Sequence, residues 1–399
     1  MLSEKSAETI RATLPAVGGA IGEITEIFYD RLFVAHPGLL RDLFNRGNQA
    51  NGQQRQALAG SIAAFASALV ARPDVRPDAM LQRIAHKHAS LGVTREQYQV
   101  VRTHLFEAIG EVLGEAVTEE VATAWDEVYW LMANALIAIE ERLYATAGGA
   151  PGVTRACRVV ARHAETDEVT TFLVRPVDGA PVPAHRPGGY VSVQVELPDG
   201  ARQIRQYSLV GGDADGGLRF AVKRVTGTPG DIPDGEVSAH LHDRIAVGDT
   251  LHLSAPFGDV TLDDGDGPVL LASAGIGCTP MIGMLGHLAA RRSPRRVTVV
   301  HGDRSPRSHA FRADLDRFVA ALPAAEAHLW YERPETPWPA ERTGLVDLGG
   351  LAVEPGTVAY LCGPLPFLRA VRAQLLARGV AAADIRYEVF GPDHWLGQA

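Results

Sequence analysis

Two histidines lie two residues apart in RIAHKHASLG (83–92), a stretch that is otherwise typical of an amphipathic helix. Because a helix turns by about 100° per residue, Leu81, Ile84 and His88 share one face, whereas His86 points roughly 160° away from His88. His86 is therefore interpreted as a solvated side chain. His88 is an imidazole on an apolar face, which suits either a hydrogen-bonded core histidine or a metal ligand.

Two other side chains are candidates to support a ligand at His88. Glu140 lies at the edge of the apolar stripe of the helix AWDEVYWLMANALIAIEERLY, where a half-buried carboxylate is costly without a partner. Tyr98 follows in the segment REQYQVV. A neutral histidine ligand commonly donates its second N–H to an acceptor, which fixes the tautomer and makes the metal-bound nitrogen more electron-rich. His88, Tyr98 and Glu140 would form such a set.

Aromatic side chains cluster near the start of the chain. Tyr29 lies among Phe28, Phe33 and Phe44, and Gln54 follows on the next predicted helix. By itself, such a cluster is usually part of a hydrophobic core.

The motif RQYSL combines, on one predicted strand, groups that suit a flavin cofactor. It offers a cation for a phosphate, an aromatic ring to stack on an isoalloxazine and a hydroxyl to hydrogen-bond flavin N5. Two segments add weight: RPGGY, which ends at Tyr190, and GEVSAHL, whose backbone near Val237 and Ser238 could approach a pyrophosphate. Taken alone, Arg205 would suit a surface ion pair and Tyr207 a core ring.

A glycine-rich turn, ASAGIGCTPM, lies between a predicted strand and a predicted helix, where backbone N–H groups can bind a phosphate. Gly275 and Gly277 alone are a weak signal. Pro280 stands where the dinucleotide-binding fingerprint has its last glycine, although proline suits the start of a helix. Two later elements, YLCGP (360–364) and YEVFGP (387–392), agree with a nucleotide-binding module.

The pattern of elements divides the chain into three regions. Up to about residue 147 it is helical almost throughout, with breaks at AHPG and ARPDVRPD. After the stretch ATAGGAPGV, short β-like runs separated by turns predict an antiparallel β-barrel. Further on, strands alternate with helices, which indicates a parallel sheet. We expect an all-α domain at 1–147, a β-barrel domain at 152–262 and an α/β domain at 263–399.

Composition narrows the possible partners. The 399 residues carry a formal net charge of -9, which gives no electrostatic footprint for nucleic acid. The three cysteines match no disulfide framework or zinc spacing, and the charged start MLSEKSAETIRATL lacks the apolar core of a signal peptide. The apolar stretch 268–290 is interrupted by glycine, proline and histidine. We expect a cytoplasmic protein without stable membrane insertion, and a monomer.

The chain resembles the flavohaemoglobins, bacterial and fungal globins fused to a flavin reductase, over essentially its whole length. In the helical region, the segments FYDRLF, LFNRGNQANGQQRQAL, IAHKHASLGVTREQY and ANALIAIEERLY carry the resemblance. It implies haem b with His88 as the proximal iron ligand, and it gives Tyr98 and Glu140 the role of supporting partners in catalysis.

The same resemblance implies roles on the other side of the haem. Tyr29 and Gln54 would face the bound ligand, and Phe44 would pack on the haem. Lys87 would influence the haem potential, although an exposed helical lysine mostly serves solubility.

The later regions resemble the ferredoxin-reductase family of FAD and NAD(P)H modules. For FAD, the resemblance implies contacts from Tyr190, Arg205, Gln206, Tyr207, Ser208, Val237 and Ser238. For the pyridine nucleotide, it implies Gly275, Ile276, Gly277, Cys278, Thr279, Pro280, Cys362, Gly363 and Pro364. The last segment is Val389, Phe390, Gly391 and Pro392, with Phe390 covering the flavin ring. Val389 stands where many relatives have cysteine and Cys278 where glutamine is common, which bears on redox potential and nucleotide affinity.

The resemblance implies nitric oxide dioxygenase activity, in which NO and O2 become nitrate at haem iron with electrons from NAD(P)H through FAD. Two alternatives stay open: a haem-based sensor or carrier of oxygen or NO with a built-in ferric-haem reductase, and a flavin reductase that serves external acceptors. The nucleotide is also open, since Asp303 could hold a ribose hydroxyl whereas Arg304 and Arg307 could meet a 2′-phosphate. We favour NADH.

Overall fold

The computed structural model describes residues 2–50, 52–212, 216–228 and 233–391, except for the side chains of Asn48, Ala50, Gln53, Gln54, Gln56, Ala57 and Ala59. These residues group into two compact units. One contains 2–154 together with Gln194–Arg205, and the other contains Arg155–Val193 and Gln206–Gly391.

Helices make up most of the first unit, as the sequence predicts. They are α1 (Glu4–Ala35), α2 (Pro37–Asp42), α3 (Arg46–Ala50), α4 (Gln53–Ala71), α5 (Asp78–Leu91), α6 (Arg95–Leu113) and α7 (Glu119–Ala147). Local sequence explains their ends. The Ser3 hydroxyl caps α1 by accepting from the Ser6 amide at 3.2 Å, and Gly92 ends α5 with a φ of +76°. No helix of the described residues is long and apolar enough to cross a bilayer.

The buried face of α5 differs from the one that the sequence predicts. Leu81 and Ala85 are fully buried and Ala89 is 3% exposed, whereas Ile84 and His88 are only partly buried. Small alanines allow α5 to pack closely, so the helix turns its alanine face into the core. His88 consequently stands beside the core face rather than in its centre.

A closed barrel and a parallel sheet form the architecture of the remaining chain. The barrel strands are β1 (Arg155–Ala164), β2 (Val169–Pro176), β3 (Tyr190–Glu196), β4 (Arg202–Gly212), β5 (Leu218–Lys223) and β6 (Thr250–Leu253), with α8 (Glu236–Arg244) before β6. Their order around the barrel is β1-β2-β5-β4-β3-β6, and the paired strands run antiparallel. The predicted antiparallel barrel is confirmed.

The last part of the chain alternates strands and helices. They are β7 (Val269–Ala274), α9 (Cys278–Ala290), β8 (Val297–Asp303), α10 (Arg312–Ala320), β9 (Ala325–Tyr331), β10 (Val358–Cys362), α11 (Leu365–Ala377) and β11 (Ile385–Glu388). The strands form one parallel sheet in the order β11-β10-β7-β8-β9. The next two strands in sequence, β8 and β9, lie on one side of β7, and the last two, β10 and β11, lie on its other side. The order therefore reverses between β7 and β10, and open parallel sheets bind their ligands at the carboxyl ends of the strands at such a reversal.

Candidate functional site

His88 lies in the last turn of α5, and its Nδ1 is held by two oxygen atoms. Nδ1 is 2.9 Å from the Tyr98 hydroxyl and 3.0 Å from Glu140 Oε1. The Tyr98 hydroxyl donates to the same Oε1 at 2.6 Å. Tyr98 is 7% exposed and Glu140 is 3% exposed. The structure thus brings together three residues from α5, α6 and α7, and it places Glu140 inside the core rather than at the edge of the apolar stripe.

The donors and acceptors in this set determine where its protons lie. A carboxylate only accepts hydrogen bonds, so Glu140 Oε1 receives one from Tyr98 and one from His88 Nδ1–H. Burial, together with the neighbouring Glu140 charge, raises the pKa of Tyr98 far above its usual value and keeps the phenol protonated. A proton on Nδ1 leaves the lone pair of His88 on Nε2, from which an imidazole can bind a metal.

The donor set fits a haem iron. An iron ligand must be held in one orientation and still be reachable, and His88 meets both requirements because its side chain is 32% exposed while Nδ1 is fixed. Along α5, Ile84 and Leu91 flank it with partly buried apolar side chains, which suits contact with a porphyrin. Lys87 is also partly buried.

The aromatic cluster forms as the sequence predicts. Tyr29 is 2% exposed, and its ring centroid lies 5.5 Å from that of Phe33 and 5.8 Å from that of Phe44. Phe33 and Phe44 meet edge to face at 5.3 Å. Gln54 belongs to α4, but its side chain lies outside the described residues.

Strand β4 carries the RQYS residues, and its neighbours in the barrel orient them. The Tyr207 ring stacks on Phe220 of β5 with centroids 5.6 Å apart, while Gln206 Nε2 donates to Ser192 Oγ at 3.0 Å. Ser208 is 5% exposed. The motif therefore presents a half-buried ring supported from behind by Phe220, which suits stacking against a planar cofactor.

The first turn of α8 offers backbone groups rather than side chains to a pyrophosphate. Ser238 Oγ accepts from the Val225 amide at 3.1 Å and donates to the Gly235 carbonyl at 3.0 Å. Val237 is 1% exposed. Because the serine hydroxyl is engaged in its own turn, only main-chain N–H groups at this helix N-terminus remain suited to an anion.

The glycine-rich turn after β7 packs against the loop after β10. A Cβ at Gly277 would lie 2.3 Å from the Cys362 carbonyl oxygen and 2.8 Å from the Gly363 nitrogen, so only glycine fits there. Gly275 has a φ of +53° and open space where a Cβ would point. The two loops meet at the switch between β7 and β10, where open parallel sheets bind nucleotides.

Two cysteines of these loops have side chains in the core. Cys278 is 2% exposed and Cys362 is fully buried, and burial raises the pKa of both thiols. Their side chains therefore pack inside the domain, and only their backbone can face a nucleotide. Phe390 by contrast is 48% exposed, and Pro392 lies outside the described residues.

Comparisons with known proteins cover the whole chain. A globin family model matches residues 26–136, and an oxidoreductase NAD-binding domain model matches residues 271–373. The "Flavohemoprotein" of Bordetella parapertussis is 42% identical over 98% of this chain and 99% of its own length, and that of Rhizobium meliloti is 40% identical over 98% and 99%. The chain belongs to the flavohaemoglobin, or flavohemoprotein, family.

Two solved structures agree with this membership. A flavohaemoglobin from Malassezia yamatoensis, determined with bound FAD and haem, covers 98% of this chain and all of its own, with a TM-score of 0.89 and 35% identity. The FAD/NAD-binding domain of a nitric oxide dioxygenase from Vibrio cholerae covers 60% of this flavohaemoglobin and 99% of its own chain, with a TM-score of 0.55 and 36% identity.

The loop after β8 does not leave its acidic side chain open to a ribose. Asp303 is 9% exposed, and its Oδ1 accepts from Ser308 Oγ at 2.6 Å and from the Arg304 amide at 2.7 Å. Burial alone would raise the pKa of Asp303, but these bonds and nearby His301 lower it to about 2. In this flavohaemoglobin Asp303 shapes its own loop, and the suggested ribose contact finds no support.

Sequence reasoning missed several side chains that build these sites. Phe220, Ser192 and Gln203 each contact a residue of the RQYS strand. Alternation along β3 and β5 could have placed Ser192 and Phe220 beside that strand, since neighbouring strands present side chains to a common face. Gln203 has no such local signal.

A change at Glu140 tests the histidine support. In Glu140→Gln, a neutral amide replaces the shared carboxylate and leaves an NH2 group buried, so His88 donates less electron density. We expect haem to remain bound, the iron–histidine stretching frequency in resonance Raman spectra to fall, and NO consumption to drop by about 10- to 100-fold. Glu141→Gln is the matched control because Glu141 is 63% exposed. An unchanged frequency in Glu140→Gln would exclude this role.

Proposed function

We propose that this flavohaemoglobin is an NAD(P)H-dependent nitric oxide dioxygenase that converts NO and O2 to nitrate, acting as a cytoplasmic monomer. The observation that carries the proposal is the hydrogen-bonded set of His88, Tyr98 and Glu140 in one chain with a reductase-type barrel and sheet. A simple oxygen store needs no reductase. The similar domain from Vibrio cholerae belongs to a protein named nitric oxide dioxygenase, and this likeness supports the same activity.

The proposed division of labour follows the three regions. Residues 1–147 would hold haem b, 152–262 FAD and 263–399 the pyridine nucleotide. The nearest element ends support these bounds, since α7 ends at Ala147, β1 begins at Arg155 and β7 begins at Val269. When bound, haem supplies the iron at which O2 and NO react, and FAD accepts a hydride from NAD(P)H and passes electrons on singly.

On the proximal side, where His88 would bind the iron, Glu140 keeps a proton on His88 Nδ1. Glu140 Oε1 accepts from His88 Nδ1–H and so keeps the imidazole in the tautomer whose Nε2 would bind the iron. Hydrogen bonding to a carboxylate gives imidazole partial imidazolate character and increases its electron donation. Strong donation favours the activation of oxygen over its simple reversible carriage.

On the distal side, we propose that the Tyr29 hydroxyl donates a hydrogen bond to the ligand on iron, a role that the family resemblance also implies for Gln54. A phenol O–H is a donor and meets the partial negative charge that develops on an iron ligand. Rings at Phe33 and Phe44 hold Tyr29 in place. Such a bond is worth about 1.5 to 3 kcal/mol when well aligned, which slows ligand loss before NO arrives.

For the reductase half, we propose NADH as the nucleotide. Arg304 Nη2 pairs with Glu168 Oε2 at 2.6 Å, and Arg307 Nη2 pairs with Asp167 Oδ2 at 3.1 Å. Both arginines that could meet a 2′-phosphate therefore already have a carboxylate partner. Tyr190, Arg205, Tyr207 and Ser208 would hold the flavin, and the loops at Gly275–Gly277 and 362–364 the nucleotide.

The activity is tested with the purified protein, NADH and NO under air. We expect one nitrate for each NO consumed and two NO for each NADH, because a hydride carries two electrons. The kcat/KM for NADH should exceed that for NADPH by about tenfold or more. Reversible O2 binding without nitrate would instead indicate a sensor or carrier. Full activity of haem-free protein toward external acceptors would indicate a reductase.

Removal of one hydroxyl tests the distal assignment. Tyr29→Phe keeps the ring but loses the donor, so we expect normal haem and FAD content, O2 dissociation about tenfold faster or more, and slower NO consumption. Tyr144→Phe is the control, since it removes a buried hydroxyl that donates to the Val93 carbonyl at 2.9 Å. Equal O2 dissociation rates in Tyr29→Phe and wild type would remove Tyr29 from the mechanism.

A further inference from the structure

The side chain of Gln203 ties together the end of one helix and the start of the next. Gln203 is fully buried, and its Nε2 donates to the main-chain oxygens of Leu40, Arg41 and Phe44 at 3.4, 3.0 and 3.2 Å. Carbonyls at a helix C-terminus lack partners within the helix. Gln203 supplies these partners at the end of α2 and in the turn that follows.

The other end of the same amide reaches forward along the chain. Gln203 Oε1 accepts from the Arg46 amide, the first residue of α3, at 3.4 Å and from Arg205 Nη1 at 3.2 Å. One amide group therefore satisfies both sides of the corner between α2 and α3. An apolar residue of the same shape could not do so, because buried carbonyls without partners are costly.

Exposed ion pairs flank this buried contact. Arg46 Nη1 lies 2.6 Å from Asp199 Oδ2, and Arg202 Nη2 lies 3.2 Å from Asp42 Oδ2. The pKa of Asp42 is well below its usual value because of the hydrogen bond from Arg41 and, against the effect of burial, those from Arg202. Exposed pairs contribute little on average, whereas the Gln203 side chain is fully buried where it meets the corner.

The corner carries Phe44, whose ring touches the aromatic cluster. Gln203 holds the Phe44 carbonyl, and the Phe44 ring packs at 5.3 Å from Phe33 and 5.8 Å from Tyr29. A shift of the corner therefore moves a ring that supports Tyr29. Gln203 belongs to β4 and lies 159 residues after Phe44 in the sequence. It nevertheless contacts the turn that carries the Phe44 ring of the aromatic cluster.

We propose that Gln203 is a positioning residue for the distal site, acting through Phe44 on the orientation of the Tyr29 hydroxyl. This inference rests on the proposed haem site and on the Tyr29 hydrogen bond. It adds Gln203, which lies outside residues 1–147, to the residues that determine how fast O2 dissociates.

The test measures O2 dissociation from protein reduced with dithionite, which needs neither NADH nor NO. In Gln203→Leu, we expect release at least threefold faster than in wild type, with unchanged haem content. Because the variant also removes a contact to Arg205, FAD content is measured separately, and the O2 measurement does not depend on it. In Gln203→Glu, a carboxylate faces three carbonyls, so release should also be faster. Asp199→Asn, which weakens only an exposed pair, should match wild type.

A combined variant separates positioning from general loosening. If Gln203 acts through Tyr29, adding Gln203→Leu to Tyr29→Phe changes the O2 dissociation rate by less than twofold relative to Tyr29→Phe alone. Additive effects, or a wild-type rate in both Gln203 variants, would overturn the proposal. If Gln203→Leu does not fold, the same comparison of O2 dissociation rates is made with Gln203→Glu, alone and combined with Tyr29→Phe. Wild-type protein that binds no haem would instead refute the proposed function.

Discussion

The buried carboxylate of Glu140 is the interaction on which the proposed haem site depends. Its Oε1 accepts from a phenol at 2.6 Å and lies 3.0 Å from an imidazole nitrogen. An uncompensated charge inside a core costs several kcal/mol, so α5, α6 and α7 must stay in register to supply both donors. The same bonds select the tautomer of His88. Packing of three helices and the chemistry at one nitrogen are thus a single constraint.

In the parallel-sheet domain, the corresponding constraint is the close approach of two backbone segments. Gly277 fits only as glycine because the Cys362 carbonyl occupies the space of a Cβ. This contact brings the turn after β7 against the loop after β10, at the point where the strand order reverses. At the proposed nucleotide site these loops would therefore contribute main-chain groups, because the side chains of Cys278 and Cys362 are buried in the core.

Much of the fold was predictable because the chain's local patterns are strong. Helical periodicity located the helices, and short alternating runs located most barrel strands. Strand β1 has a weak local pattern because its buried–exposed alternation holds only from Cys157 to Val159 and a register shift follows. The predicted face of α5 was displaced because Ala85 and Ala89 enter the core beside Leu81, while Ile84 stays only partly buried.

The candidate sites also combine features that the sequence predicts with features that it does not. Helical spacing distinguished His88 from His86, but the complete burial of Glu140 depends on how α7 packs against other helices. Gln203 was not predictable, since it is more than 150 residues from the carbonyls that it binds. Asp303 looked suited to a ribose until the structure showed its carboxylate engaged by Ser308 and the Arg304 amide. Long-range contacts decide the cases of Glu140 and Gln203, whereas the partners of Asp303 lie within the same loop.

The most direct measurement is the absorption spectrum of purified wild-type protein beside that of His88→Ala, with haem and FAD quantified in each. The account predicts both cofactors in the wild type, and FAD with little haem in the variant, because the variant retains the barrel but loses the imidazole held by Glu140 and Tyr98. Normal haem content in His88→Ala would contradict the account.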